Sequence, residues 1–161
     1  PDEILGGKFK MKVTNLIAAF ILSILGTHAS AVSITEPEVR ALTKKLTAEL
    51  LPNCVGVESF YDQVYCSSKI YFVFDEVLNE TYGDLRNELP GGTFEDLKSV
   101  QRIWVKSRDD KCAFLDDDAV IMDLKCAINM TASSLWYLFE IEERPLARKE
   151  LILDYKAFTS E

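Results

Sequence analysis

Histidine occurs once in the 161 residues, as His28, and that copy falls in a stretch expected to be removed from the working protein. Without histidine, Ser-His-Asp, Cys-His and His-metal sites are excluded. Cysteine is sparse as well: there are four copies and no Cys-x-x-Cys pair, so both the redox motif and the usual zinc spacing are missing. No Gly-x-Gly-x-x-Gly and no P-loop is present, which removes the common phosphate cradles. Positive charge is in deficit, with Lys+Arg 18 against Asp+Glu 26 and a net charge of −8. A nucleic-acid partner or adsorption to anionic membrane would need the opposite balance. Acids are plentiful enough for a glycosidase-like pair, but Asp109-Asp110, Asp116 to Asp118 and Glu140-Glu142-Glu143 read as solvated faces. Asp116-Asp117-Asp118 also lacks the alternate-position ligands of a calcium loop. We therefore expect no enzymatic activity, no metal and no cofactor.

Long apolar runs are nearly absent too. The one present, Leu16 to Gly26, is broken only by Ser23, follows Met11-Lys12 and precedes the small residues Ala29-Ser30-Ala31. That order describes a secretory leader, and the run is short for a membrane span. Three segments are expected: an upstream or non-native extension at 1–10, a leader at 11–31 and a single helical domain at 32–161. As upstream sequence read in frame, Gly6-Gly7-Lys8-Phe9-Lys10 would be encoded by a purine-rich ribosome-binding site just before the Met11 codon. No cysteine follows the apolar run, so neither a lipid anchor nor a stable membrane anchor is expected once the leader is cleaved. The mature chain would keep 15 positive and 24 negative residues of the original 18 and 26, a net charge of about −9, and no histidine. Such a protein would be periplasmic or secreted.

What remains patterns as helix. Thr35-Glu36-Pro37-Glu38 carries a capping threonine, an early proline and first-turn acids, and Val39, Leu42, Leu46 and Leu50 follow at helical spacing until Pro52. From Glu58 to Leu89 a second stripe comprises Phe60, Val64, Ile70, Phe74, Leu78, Tyr82, Leu85 and Leu89. Ile70 to Phe74 has strand-like composition, but the flanking periodicity favours helix. Pro90-Gly91-Gly92 is a break, after which Thr93 and Asp96 resemble a capping pair for a third helix reaching about Leu115. An acidic turn at Asp116 to Asp118 then leads to a fourth helix, about Ala119 to Glu143, with Ile121, Leu124, Ile128, Leu135, Leu138 and Phe139 for packing. Past Pro145, Leu151, Leu153 and Tyr155 suggest a short docking helix. The expected class is all-α: a disulfide-braced antiparallel helical hairpin bundle of about four helices.

Cys54, Cys66, Cys112 and Cys126 form an even set beyond a leader, which reads as two disulfides with three possible pairings. An antiparallel hairpin at the acidic turn brings Cys112 to Cys126, and the loop before the second helix lets Cys54 fold back onto Cys66. Cys66 with Cys112 is the competing arrangement, because both should lie at one end of the bundle.

On the third helix Gln101, Trp104, Arg108 and Cys112 share one face, which can be either a core seam or a ligand-facing patch. On the second, Asp75, Leu78, Asn79 and Tyr82 stand at i, i+3, i+4 and i+7. Asp75 or Asn79 is expected to partner Arg108 across the Pro90 turn. Asp75-x-x-Leu78-Asn79-x-x-Tyr82, then Gln101-x-x-Trp104-x-x-x-Arg108-Asp109-x-x-Cys112, then Cys126, resembles the LprI-type lysozyme inhibitor N-terminal domain family over roughly Cys54 to Leu138. Ser134 stands where that family commonly has arginine. The resemblance implies a small exported helical domain, and for at least one member lysozyme inhibition.

The function expected is thus an exported protein-binding module whose partner is a basic protein, lysozyme by resemblance. Complementary fields would speed such an encounter. Asp109, Asp110, Asp116, Asp117, Asp118 and Asp123 are the candidate contacts. The competing classes are an immunity protein against a secreted cell-wall-targeting toxin and a structural envelope protein. Asn79-Glu80-Thr81 and Asn129-Met130-Thr131 match glycosylation sequons but fall within expected helices, where chance occurrence accounts for them.

Overall fold

A computed structural model of the chain describes residues 33–160; the expected upstream extension and leader lie outside them. The described elements are α1 (Glu36–Leu50), a 3-10 turn (Pro52–Cys54), α2 (Phe60–Glu88), α3 (Gly91–Cys112), β1 (Ala113–Asp116), β2 (Ala119–Met122), α4 (Leu124–Glu143) and α5 (Arg148–Thr159). The class is all-α with two disulfides and one small sheet. Five helices rather than about four are present among the described residues, because the tail forms a full docked helix.

Local chemistry accounts for most helix ends. Thr35 caps α1, and Glu38 accepts from the Thr35 backbone N–H at 2.7 Å. Ser59 caps α2 by accepting from the Asp62 N–H at 3.1 Å. The helix then runs 29 residues without the strand that Ile70 to Phe74 could have formed. At α3 the sequence expectation is off by one turn: Pro90, with φ of −55°, takes the N-cap position, and Thr93 is buried inside the helix instead of capping it. A proline already set near helical φ and two unhindered glycines allow the earlier start.

α4 is the centre. Eleven of its 20 residues are buried, and it packs on α1, α2, α3 and α5, most extensively on α2. Leu135, Tyr137, Leu138 and Ile141 are fully enclosed; each such side chain contributes roughly 1.5–3 kcal/mol of hydrophobic burial. A polar cluster sits inside this apolar frame. Gln101 Nε2 donates to Tyr155 Oη at 3.2 Å and to Ser134 Oγ at 3.4 Å, and the Ser134 and Tyr155 hydroxyls bond each other. The Tyr155 ring stacks on Tyr137 at 4.7 Å. Burial pushes the Tyr155 hydroxyl above its ordinary value near 10, so it stays neutral and can serve as a donor. Three helices are thereby tied in one register, with all three polar side chains satisfied.

Between the third and fourth helices the chain departs from the expected helical turn. α3 ends at Cys112 and α4 starts only at Leu124, so 113–122 is a β-hairpin rather than two helix ends meeting at a turn. Phe114 pairs with Ile121 and Leu115 with Val120, around a tight turn at Asp117-Asp118. Asp117 has φ of 51°, a conformation aspartate tolerates far better than a branched residue. Ile121, expected in the core, is therefore exposed, as are Phe60 and Val64 at the start of α2.

Candidate functional site

α2 and α3 run antiparallel across Pro90. Near the turn the Tyr82 and Phe94 rings meet at 5.4 Å, and farther along Asp75 Oδ1 meets Arg108 Nη1 at 3.3 Å. The space between them is a groove of about 550 Å³. Asp75, Leu78, Asn79, Tyr82, Gln101, Trp104 and Arg108 all line it, so the two helical faces read from the sequence meet in one place. Burial holds the Tyr82 hydroxyl above its ordinary range, against the pull of Arg102 and Arg86. Trp104 forms the floor: its ring is buried, and its indole N–H reaches the Met130 carbonyl of α4 at 3.2 Å.

Of the two readings of the α3 face, the core seam describes Gln101, Trp104 and Cys112, which are all buried, whereas Arg108 sits at the rim. Its guanidinium lies 5.1 Å from the Trp104 ring and 5.9 Å from Tyr71, and binds Asp109 at 3.0 Å as well as Asp75. Asn79 Nδ2 in turn donates to Asp75 Oδ2 at 3.1 Å. The Arg108 side chain is 12% exposed but that of Asp75 is 39%. Water therefore reaches the carboxylate and weakens the pair relative to a fully buried one. Arg108→Ala is expected to cost about 1–2 kcal/mol, the sum of a screened ion pair and a ring contact. Urea unfolding checks this; a loss above about 3 kcal/mol would mean the pair behaves as buried.

The six candidate aspartates separate into different roles. Asp109 is held by Arg108, and Asp110 by Lys106. Asp123 caps α4 through the Cys126 N–H at 3.1 Å. Asp116, Asp117 and Asp118 form the exposed end of the hairpin and make no ion pair among the described residues. The cysteines pair as Cys54–Cys66 and Cys112–Cys126, and none is free. Cys112–Cys126 closes the base of the hairpin, where Asp123 N also donates to Cys112 O at 2.7 Å.

Phe114, Leu115, Val120 and Ile121 carry this hairpin, and the sequence reading passed over them as strand formers. The signal was available in part: Phe114 on one side and Val120 and Ile121 on the other are β-formers flanking an Asp-Asp pair. Among the described residues no three His, Cys, Asp or Glu side chains cluster in a way that could hold a metal.

The class these observations define is a small all-α domain braced by two disulfides. The family model for lysozyme inhibitor LprI matches residues 54–137, just over half of the chain, and the chain belongs to that family. The family is one of inhibitors and not of enzymes. No curated protein and no solved structure matches. Family and disulfides together point to an extracytoplasmic protein with a protein partner such as lysozyme. No helix among the described residues is long and apolar enough to cross a membrane.

Proposed function

We propose that this protein is an exported lysozyme inhibitor, released at Val32 after loss of a leader at 11–31 and acting in the periplasm or outside the cell. The observation that carries the reading is the family match over 54–137, an interval that contains all four cysteines, the groove motif and the hairpin. Two further features support it. The disulfides call for an oxidising compartment, and a mature charge of about −9 favours encounter with a strongly basic muramidase. With no histidine after His28, histidine-dependent catalytic sites are out of reach, and the mode of inhibition we propose is occupancy.

Purified 32–161, oxidised, should suppress peptidoglycan lysis by a basic lysozyme at micromolar excess, and added salt should weaken the effect. Undiminished lysis by several lysozymes of different classes at that excess would refute the proposal.

A further inference from the structure

We propose that the hairpin Ala113–Met122 is the element that docks, seating its apolar flanks in the cleft of a basic muramidase with its acidic turn against the enzyme's cations. This rests on the inhibitor reading above and assigns it a surface. The hairpin is too small to fold for its own sake, because a lone two-stranded ribbon is marginal in water. It is nevertheless held at its base by Cys112–Cys126, by the Asp123 N–H to Cys112 O bond and by the Asp123 cap on α4. That bracing supports side chains that contribute little to the core. Phe114 is 55% exposed, Leu115 76%, Val120 73% and Ile121 40%. Phe114 and Ile121 are directly paired, as are Leu115 and Val120, so each face of the ribbon presents one apolar pair. Four exposed apolar side chains on one braced ribbon, two to a face, are a surface of the kind that interaction sites use.

Charge selects the occupant. From Asp109 to Cys126 six aspartates stand against Lys111 and Lys125, and the three at the turn are free of ion pairs among the described residues. A second copy of this acidic chain, at net −8, would be repelled by that turn, whereas a cationic cleft would be drawn to it. Apolar flanks behind a charged tip also divide the work: the tip steers approach and the flanks set the lifetime of the complex.

Two double variants test this on the oxidised mature chain, Leu115→Ser with Val120→Ser and Phe114→Ser with Ile121→Ser. Binding to a basic c-type lysozyme and its inhibition are both measured, with cytochrome c as an unrelated basic control. At least one double variant should weaken binding tenfold or more while its melting temperature stays within about 2 °C, since exposed side chains add little to stability. Asp116→Asn, Asp117→Asn and Asp118→Asn together should slow association at low salt and flatten its salt dependence. If wild type inhibits and both double variants inhibit equally well, the hairpin assignment is wrong and the inhibitor reading survives. Binding through the hairpin without inhibition would keep the docking surface and discard the inhibitor reading. No binding at all overturns both. Equal binding to cytochrome c, or self-association abolished by the variants, overturns the proposed occupant.

Discussion

Replacing all four cysteines with serine should leave a chain that is largely unfolded at 37 °C, whereas the oxidised protein melts as one cooperative unit. Cys54–Cys66 and Cys112–Cys126 span 12 and 14 positions of sequence. Closing loops of that size restricts the unfolded chain by about 3 kcal/mol each. Losing both removes about 6 kcal/mol from a total that, for a domain of this kind, is typically about 5–15. The two bridges should not fail alike. Cys54–Cys66 ties the 3-10 turn after α1 to the second turn of α2, so its loss loosens α1 while α2 keeps its packing on α4. Cys112–Cys126 lies under the hairpin, so its loss frees a ribbon that cannot hold itself together. Amide exchange separates the cases: protection at 114–121 should vanish in the Cys112→Ser/Cys126→Ser variant and persist in the other. A reduced protein whose melting curve overlays the oxidised one would show that the helical core suffices without either bridge.

Helix existence, the break at Pro90 and the convergence of the two motif faces were legible because they follow from periodicity. Asp75, Leu78, Asn79 and Tyr82 lie on one stripe, Trp104 and Arg108 on another, and a short turn obliges the two to meet. What escaped were places where periodicity continues past the physics that supports it. Phe60 and Val64 extend the α2 stripe in register, yet both side chains stay exposed. The stripe of the fourth helix can be drawn back from Leu124 to Ile121, but Ile121 stays exposed, and the segment is a ribbon closed at its base by the Cys112–Cys126 disulfide instead. Burial on a partner, not spacing alone, decides between the two periods. The acidic contacts were even less legible. Asp109, Asp110 and Asp123 look like Asp116 to Asp118 in sequence, and only three-dimensional placement assigns the former to ion pairs and a cap.

Trp104→Ala is expected to be the most damaging single substitution, at about 3–5 kcal/mol. The ring is 1% exposed, it floors the groove between α2 and α3, and its N–H bonds Met130 O across to α4. Truncation would open a cavity where three helices meet and remove the surface beneath the Arg108 guanidinium. Trp104→Phe should recover most of that, losing the hydrogen bond at about 1 kcal/mol and a little volume. Trp136 remains as a fluorescence probe in both variants, so urea unfolding can be followed in each. The pair of variants also separates the groove from the hairpin as functional surfaces. If docking occurs through the hairpin, Trp104→Phe should bind lysozyme as wild type does, and Trp104→Ala should bind in proportion to its folded fraction. A folded Trp104→Phe protein that no longer binds would instead place the partner in the groove, against Trp104 and Arg108.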